Sequence, residues 1–398
     1  MSAKNSWLKR NIFGFGFTSF FNDFSHEMTT AILPAFIQQL VGGAHAPLML
    51  GIISGVSDFA SSIVKVWSGL LTDRLKRYKL FLIVGYALTP LFVGIIGTAQ
   101  YIWQVLLYKT IAWIGRGIRE PMRDTWITQS VSPEYYGQAF GFVRAFDTLG
   151  SIAGPLVVFF MLKKYSLQTI FFVSLIPGLL SVLALIFFTH EEIHHQYIAK
   201  YHNWIDHLKK LSKKFNYFIF IMFIFGIANF NKMLIIFRAQ EALTGQSGSS
   251  IIATGWAVLL YVLFNIIRAM SEYGLGTLSD YQSRKNILAF CGFGLFGIIN
   301  ILLMFSSHSL LMWGAIFLGA GMSTGAVTAL EKSYAALLLP PELRGTGFGL
   351  LQMMDGIGDL ISSIVVGFLW AALAPVYGFF YAVIMSFIAT ILLFNFKD

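Results

Sequence analysis

Long apolar segments, separated by short polar loops, dominate this sequence. An apolar run of about 20 residues spans the hydrocarbon core of a bilayer as a helix. Because that core offers no water to backbone N–H and C=O groups, helices and closed barrels are the structures that cross it. The pattern predicts an all-α membrane protein with twelve transmembrane helices, at roughly 11–40, 47–72, 79–98, 100–130, 137–162, 167–188, 215–243, 249–277, 286–306, 308–338, 345–371 and 374–395.

The composition fits a chain that lies mostly in lipid. Of its 398 residues, 56% are hydrophobic and 12% are charged, whereas soluble domains carry about 25% charged residues. The formal net charge of +9 would also suit a nucleic acid, but the basic residues lie in short loops, where membrane topology explains them better. The single cysteine, Cys291, excludes an internal disulfide framework and gives no metal cluster. No signal peptide is predicted, because the segment after the basic start is too long and too polar.

Positive charges are distributed unevenly between alternate loops. If the N-terminus is cytoplasmic, Lys163 and Lys164 are the only lysine or arginine residues in the loops on the opposite side of the membrane. Lys and Arg accumulate in the cytoplasmic loops of membrane proteins. The bias predicts a multi-pass protein of a bacterial-type inner membrane with both termini in the cytoplasm, where the following basic residues also lie: Lys4, Lys9, Arg10, Arg74, Lys76, Arg77, Lys79, Lys200, Lys209, Lys210, Lys213, Lys214, Arg284, Lys285, Arg344 and Lys397.

One long polar segment divides the apolar segments into two groups of six. We predict an N-terminal six-helix bundle at 1–188, a cytoplasmic linker at 189–214 and a C-terminal six-helix bundle at 215–398. Residues 190–202 of the linker are rich in histidine, and imidazole and carboxylate are suitable metal ligands. Because no fixed ligand spacing is present, a solvated linker is favoured and a metal site is the alternative.

The two halves of the chain resemble each other in sequence. The stretch 69–77 matches 276–284, at an offset of 276 − 69 = 207. A longer match aligns 133–150 with 341–358, at an offset of 341 − 133 = 208. Two matches at nearly one offset indicate that six spans are duplicated. This predicts two pseudo-symmetric bundles related by an axis along the membrane normal.

A charged stripe interrupts the fourth apolar segment. It occupies positions i, i+3, i+4, i+7 and i+8, so all its members share one face of a helix: Arg116, Arg119, Glu120, Arg123 and Asp124. Charged side chains inside a bilayer are costly and face protein or a water-filled cavity. The stripe is therefore expected to line a central cavity.

The loop between the second and third segments resembles a known motif. It follows the pattern Gly-x-Leu-x-Asp-Arg-x-x-Arg of the major facilitator superfamily, at Gly69, Leu71, Asp73, Arg74 and Arg77. Lys76 replaces the family's usual glycine, and Tyr281 replaces the arginine in the second copy. The chain resembles this family over essentially its whole length. The resemblance implies two six-helix bundles around a central cavity, alternating access of a small-molecule substrate, a monomer in the lipid bilayer, and spans one, four, seven and ten lining the cavity.

A second resemblance lies in the fifth segment. Gly150, Gly154 and Pro155 match the Gly-x-x-x-Gly-Pro motif of the family's antiporters, although Val157 and Val158 replace the trailing glycine pair. The match implies an antiporter. Ordinary close packing of small residues between helices is the alternative. The family's arginine motif in span four is absent in its standard form.

The first segment offers candidates for proton coupling. Asp23, His26 and Glu27 lie at i, i+3 and i+4 near the middle of the span, so they share one face. A carboxylate there can bind and release a proton, with His26 as a relay. The alternative is that the carboxylates form static ion pairs with arginines of span four.

Substrate-binding candidates lie near mid-span. The cationic excess of the stripe suits an anionic group, because arginine offers a planar fork to carboxylate or phosphate. The candidates are Arg116, Arg119, Glu120, Asn22, Trp113, Asn231 and Lys232. The alternative is that these charges cancel within the protein and the substrate contacts mainly aromatic side chains.

The remaining charged residues of the spans and motif loops are predicted to act in gating. Glu331 and Lys332 are the repeat equivalents of Arg123 and Asp124 with the signs exchanged, because 123 + 208 = 331. This arrangement suits salt bridges that form when one side closes. The predicted gating residues are Asp73, Arg74, Arg77, Arg123, Asp124, Arg144, Asp147, Asp280, Arg284, Glu331, Lys332, Asp355 and Asp359.

These observations together predict a proton-coupled secondary transporter that exports a small organic solute. The cationic excess of the stripe suits an anionic or zwitterionic solute. The alternative is a proton-coupled importer of an anionic metabolite or a metal chelate such as a siderophore. A non-transporting membrane sensor is less favoured, because no signalling domain is present. An enzyme is not predicted, since no nucleophile–base pair, metal-ligand cluster or phosphate-binding loop is found. No cofactor, resident metal or nucleic acid is expected.

Overall fold

The computed structural model describes residues 8–72, 79–132, 135–191, 210–305, 309–340 and 343–396. Within these ranges the regular structure is helical and no strand occurs, which confirms the predicted all-α fold. The predicted gating residues Asp73, Arg74 and Arg77 lie outside the described residues, as do positions 192–209 of the linker.

The helices of the first half follow the predicted segments closely. The sixth predicted segment forms two helices that meet at Ser174, and a 3₁₀ turn, Ile96–Thr98, extends the third. The helices are α1 (Arg10–Val41), α2 (Ala46–Thr72), α3 (Lys79–Ile95), α4 (Ile102–Ser130), α5 (Tyr136–Met161), α6 (Leu167–Val173) and α7 (Leu175–Phe188).

The second half contains the same kind of segments with two irregularities. The seventh predicted segment is broken, and the ninth contains a π-helical stretch, Leu288–Gly294, between two α-helical parts. The helices are α8 (Lys213–Gly226), α9 (Lys232–Ser247), α10 (Ser250–Leu278), α11 (Arg284–Ile287), α12 (Leu295–Met304), α13 (Leu310–Leu338), α14 (Arg344–Ala372) and α15 (Pro375–Phe394).

Nine helical segments in the described part of the chain are long and apolar enough to cross a membrane. The other three predicted spans differ for identifiable reasons. The helix α1 covers 32 residues and α4 covers 29, but both carry charges in mid-segment. The seventh predicted span is divided into α8 and α9, of 14 and 16 residues.

The seventh predicted span, 215–243, is interrupted between Gly226 and Lys232. Asn231 caps α9, since its side chain accepts a hydrogen bond from the N–H of Met233. The backbone groups that the break exposes are bound by α14. Ser362 Oγ donates to the carbonyl of Asn229, and Ser363 Oγ accepts from the N–H of Asn231. Irregular backbone is tolerated at membrane depth where protein or a cavity satisfies it, and here two serines do so.

The chain divides into two compact units. The first unit comprises Met1–Ile32 and Ala60–Lys200, and the second comprises Leu33–Phe59 and Tyr201–Asp398. The last part of α1 and the first part of α2 thus belong to the second unit, although they precede the linker in sequence. The predicted bundle boundaries at 188 and 215 remain a prediction.

The core of the first unit joins α1, α3 and α4. Phe15 of α1 and Trp126 of α4 are both buried, and their rings lie 5.2 Å apart in an edge-on arrangement. Leu82 and Tyr86 of α3 are fully buried in the same cluster. This apolar layer holds the first part of α1 against the charged helix α4.

The repeat is visible in equivalent contacts within each unit. A Cβ on Gly117 of α4 would lie 2.7 Å from the carbonyl oxygen of Ser61 on α2. A Cβ on Gly325 of α13, at an offset of 325 − 117 = 208, would lie 2.6 Å from the carbonyl oxygen of Arg268 on α10. In both units a glycine allows the backbones of the two helices to touch.

A second equivalent contact lies at the helix ends. Lys79 Nζ donates a 2.7 Å hydrogen bond to the carbonyl of Thr189 after α7, and Lys285 Nζ donates a 2.7 Å hydrogen bond to the carbonyl of Phe396 after α15. Cations at helix C-termini satisfy carbonyls that have no partner within the helix. The duplicated sequence therefore reproduces the same cap in each half.

Candidate functional site

The helix α4 places Glu120 between two cations. Glu120 Oε2 lies 2.7 Å from Lys65 Nζ of α2, and Glu120 Oε1 accepts a 2.5 Å hydrogen bond from Arg116 Nε. The i,i+4 spacing brings Arg116 and Glu120 together on α4. The three side chains are 22–38% exposed, so the cluster is in contact with solvent. Arg116 and Glu120, which are predicted substrate-binding residues, are thereby connected to Lys65.

Arg119 has different surroundings. It is buried, with 5% of its surface exposed. Its Nη1 donates a 2.6 Å hydrogen bond to Thr89 Oγ1 of α3, and its guanidinium lies 4.7 Å from the centroid of the Tyr86 ring. No carboxylate among the described residues lies within ion-pair distance of Arg119. A buried guanidinium thus faces a neutral hydroxyl and an aromatic ring in place of an anion.

Arg123 connects three helices of the first unit. Its Nη1 donates to Ser19 Oγ of α1 at 3.2 Å and lies 3.7 Å from Asp147 Oδ2 of α5. Its Nε donates to Asp124 Oδ1 at 3.2 Å. These predicted gating residues form one ion-pair network inside the first unit. The Asp124 side chain is half-exposed, which leaves one face of its carboxylate in solvent.

The structure brings the three coupling candidates of α1 together. His26 Nδ1 lies 3.9 Å from Asp23 Oδ1, and His26 Nε2 lies 3.7 Å from Glu27 Oε1. Asn22, also a predicted site residue, donates a 3.0 Å hydrogen bond to Asp23. The Asp23 side chain is 24% exposed, whereas that of Glu27 is 4% exposed. No arginine among the described residues lies within ion-pair distance of Asp23, so the static ion pair considered for Asp23 does not form here.

Two glycines of the antiporter-like motif position Asp23. A Cβ on Gly150 of α5 would contact the carbonyl oxygen of Phe20 and approach Asp23 Cβ to 3.2 Å. A Cβ on Gly154 would lie 2.5 Å from the carbonyl oxygen of Phe24. Small residues spaced by four let helix backbones approach closely. The motif here acts as a packing surface that sets α5 directly against the face of α1 that carries Asp23.

Sequence reasoning missed two residues of this site. Lys109 of α4 is 1% exposed, and its Nζ lies 4.8 Å from the centroid of the Trp113 ring, which stands edge-on to His26 at 5.5 Å. The heptad spacing from Arg116 back to position 109 was the available signal. Tyr86, under Arg119, gave no signal, since one aromatic residue in an apolar segment is unremarkable in sequence.

In the second unit, the broken helix positions Asn231 and Lys232. Asn231 Nδ2 donates a 2.9 Å hydrogen bond to Asp58 Oδ2 of α2 while its Oδ1 caps α9. Lys232 Nζ lies 4.9 Å from the centroid of the Tyr261 ring on α10. The amide of Asn231, a predicted substrate group, is therefore engaged on both sides. Lys232 meets a π face, as a cation does when its charge is partly desolvated.

A polar cavity of about 190 Å³ lies within the second unit. Gly226 and Asn229, on either side of the start of the break, line it together with Ser323 and Thr324 of α13. Its charged lining residues are all acidic: Glu331, Asp355 and Asp359. The structure thus groups three predicted gating carboxylates around one cavity.

The other predicted gating residues lie at the surface. Arg144 and Lys332 are exposed on α5 and α13. Arg284 Nη2, at the start of α11, lies 3.2 Å from Asp280 Oδ1 in the turn after α10, where the second motif copy ends. The expected pairing of Arg74 with Asp124 falls outside the described residues. No group of three or more His, Cys, Asp or Glu side chains that could hold a metal ion occurs in the described part of the chain.

Comparison with known proteins identifies the family. The Major Facilitator Superfamily model matches residues 15–239 and 218–398. An uncharacterized MFS-type transporter of Methanocaldococcus jannaschii, MJ1317, is 31% identical over 393 residues, which cover 97% of this chain and 94% of that protein. The multidrug resistance protein MdtG of Proteus mirabilis is 26% identical over 189 residues, covering 47% of this chain and 46% of MdtG.

The fold agrees with this match. The crystal structure of the nucleoside transporter NupG superposes with a TM-score of 0.75 at 13% identity, covering 97% of this chain and 98% of that one. At this identity the likeness concerns the fold alone. Family and fold indicate a multi-pass membrane transporter rather than an enzyme. The chain therefore belongs to the Major Facilitator Superfamily, as its loop motif and internal repeat predict.

Proposed function

We propose that this chain is a proton-coupled secondary transporter that exports a small organic solute with an anionic group, and that Arg119 binds this group. One observation carries the proposal: Arg119 is a buried cation without a carboxylate within ion-pair distance among the described residues. Arg116, 38% exposed in its side chain, is the solvent-facing cation beside it on the stripe.

The physical argument concerns the cost of burying charge. A buried ion that lacks a counter-ion costs several kcal/mol. The hydrogen bond to Thr89 and the stacking on Tyr86 offset only part of that cost for Arg119. An anionic group of the solute would offset the rest. The guanidinium fork also suits carboxylate and phosphate geometry.

A cationic group on the solute would find a suitable partner in the second unit. Three carboxylates line the 190 Å³ cavity there, beside the hydroxyls of Ser323 and Thr324. This supports solutes that are zwitterionic as well as anionic. Lys232 and Asn229 are further candidates for direct contact in that unit.

Asp23 is the favoured proton-binding residue. Its carboxylate is partly exposed and therefore exchanges protons with water, whereas Glu27 is nearly closed off. His26 lies between the two carboxylates and can relay a proton from one to the other. Proton release at Asp23 and solute binding at Arg119 occur in the same unit, which supports coupling through their charges.

Export is favoured over import by two likenesses. The Gly150–Pro155 motif resembles that of antiporters, and half of the chain is similar to a multidrug resistance protein. Import of an anionic metabolite or metal chelate is the second candidate, since Arg119 would bind such a solute equally well. We further propose that the chain works as a monomer in a bacterial-type inner membrane with cytoplasmic termini, as the loop charges indicate.

Proton release on solute addition tests the proposal. The purified chain is held in weakly buffered detergent, and anionic metabolites, metal chelates and amphipathic drugs are added in turn. We expect one compound to release protons from the wild type but not from Asp23→Asn. Glu241→Gln removes a carboxylate that pairs with Arg238 on α9 in the other unit, so this matched control should behave like the wild type. Binding without proton release contradicts the coupling role.

Direction is tested separately in cells. An exporter lowers the accumulation of the identified compound in intact cells, whereas an importer raises it. Arg119→Gln should abolish either effect while the variant still folds, because it removes a buried charge that has no ion-pair partner among the described residues. Transport that survives this substitution contradicts the role given to Arg119.

A further inference from the structure

The hydroxyl of Tyr86 is buried without a hydrogen bond to any described residue. Tyr86 is fully buried in α3, and its Oη has no partner in hydrogen-bond geometry, although the charge of Arg123 acts on this hydroxyl as well as that of Arg119. The great majority of buried polar side-chain atoms have a partner, so each exception needs an explanation. The Tyr86 ring also lies under the guanidinium of Arg119. Arg119 is itself unusual, because it is a buried cation that has no ion-pair partner among the described residues.

Two polar atoms of α1 in the first unit are also buried without a partner. Thr18 Oγ1 and Asn22 Oδ1 belong to residues that are 0% and 2% exposed. The helices α1 and α4 run antiparallel, since Ser19 contacts Arg123 and His26 contacts Trp113. Asn22 lies between these contacts, level with Arg119. The contact between Tyr86 of α3 and Arg119 of α4 is therefore level with Asn22 of α1.

The chemistry of this junction selects an anion. Arg119 has five N–H donors, of which the Thr89 hydroxyl accepts one. The Tyr86 hydroxyl adds a further donor. An ordered water can accept such hydrogen bonds, but it leaves the positive charge uncompensated. An oxygen of an anion satisfies the donors and the charge together.

The nearby carboxylates do not act as the counter-ion of Arg119. Glu120 is shared between Lys65 and Arg116, and Asp147 lies 3.7 Å from Arg123. Asp23 accepts its hydrogen bond from Asn22. Each nearby carboxylate of the first unit is thus engaged with a group other than Arg119.

We propose that the Tyr86 hydroxyl and the free N–H groups of Arg119 form a subsite for an oxyanion, either carboxylate or phosphate, of the transported solute. The inference rests on the proposed function and adds Tyr86 as a solute-binding residue. Because Arg119 keeps 5% of its surface accessible and Tyr86 keeps none, the anion meets the guanidinium first and the hydroxyl behind it. Charge-assisted hydrogen bonds are strong in such a dry site.

Benzoate, benzamide and inorganic phosphate are suitable probes. Benzoate and benzamide have nearly the same shape, but only benzoate is charged. The full-length chain is purified in detergent, and its thermal unfolding midpoint is measured against the concentration of each probe. We expect benzoate or phosphate to raise the midpoint of the wild type and benzamide not to. The anion that stabilises more strongly distinguishes a carboxylate site from a phosphate site.

Three variants separate this inference from the proposed function. Tyr86→Phe should weaken anion binding about tenfold, which corresponds to one charge-assisted hydrogen bond. Arg119→Gln should abolish binding. Tyr108→Phe is the matched control, since Tyr108 is a second tyrosine where α4 packs on α3, with its ring tilted against that of Phe92. This variant should bind the anions like the wild type.

The stability of Tyr86→Phe without any probe gives a second readout. Because the hydroxyl it removes has no partner among the described residues, its unfolding midpoint should equal or exceed that of the wild type. A lower midpoint would show a structural partner and overturn the inference. Unchanged anion affinity in Tyr86→Phe, with loss in Arg119→Gln, also overturns it but leaves the proposed function standing. Failure of both anions to stabilise the wild type, or equal stabilisation by benzamide, overturns the subsite itself.

Discussion

Lys65 and Glu120 join α2 to α4 through an ion pair of 2.7 Å, with about a quarter of each side chain exposed. Glu120 also holds Arg116 at 2.5 Å, so one carboxylate compensates two cations. Removing that carboxylate takes away the anion that Lys65 and Arg116 share. Removing Lys65 leaves the Arg116–Glu120 pair balanced.

The first prediction follows from this asymmetry. Glu120→Gln should lower the free energy of unfolding by about 1–3 kcal/mol, and Lys65→Met by less than half of that. The double variant should recover about 1 kcal/mol relative to Glu120→Gln, because the two sites are coupled. Thermal unfolding in detergent measures all three. Equal effects of the single variants would contradict the sharing of Glu120.

The second prediction concerns the glycine contact between α5 and α1. Gly150→Ala should lower the free energy of unfolding by about 1–3 kcal/mol, because the new Cβ would collide with the carbonyl oxygen of Phe20. Gly141→Ala is the matched control on the same helix. No atom lies within 4 Å of a Cβ there, so alanine should stabilise the helix by up to about 1 kcal/mol. A similar response at both positions would exclude a packing role for Gly150.

The third prediction tests the link at the broken helix. Asn231→Ala removes a helix cap and the 2.9 Å hydrogen bond to Asp58, and should cost about 2 kcal/mol. Asn231→Asp keeps a good cap but places a carboxylate against Asp58, so it should be at least as destabilising. Adding Asp58→Asn to Asn231→Asp exchanges the two groups and should restore the unfolding midpoint. No rescue in the double variant would argue against the contact.

The fourth prediction concerns the charge preference of the second unit. Benzylammonium should bind to the wild type and lose affinity about tenfold in Asp355→Asn or Asp359→Asn, since each carboxylate contributes to the negative potential of the cavity. Benzoate binding should not change in these variants. Thr328→Val, an uncharged lining position, is the control. Equal loss of both probes would indicate misfolding rather than a cation site.

Much of this protein was determined by its sequence. The apolar segments determine where the helices lie, because backbone N–H and C=O groups inside a bilayer can form hydrogen bonds only with each other. The constant offset of about 207 residues predicted the repeat. The structure shows the repeat in the equivalent helix–helix contacts at Gly117 and Gly325. The i, i+3, i+4 spacings of α1 and α4 set the charged faces, because a helix fixes which side chains share a side. The grouping of Asp23, His26 and Glu27 on one face of α1 was predictable for this reason.

Tertiary structure decided which of these charges are compensated. Arg116 pairs with Glu120 of its own helix, but Arg123 meets Asp147 only because α5 packs there. Arg119 packs against α3 and has no carboxylate within ion-pair distance among the described residues. The break in the seventh span likewise depends on Ser362 and Ser363, more than 130 positions away in sequence. Tyr86 lies under Arg119 only because α3 packs against α4. The periodicity of a sequence determines which face of a helix a side chain lies on. Packing between segments that are distant in sequence determines which residues that side chain contacts.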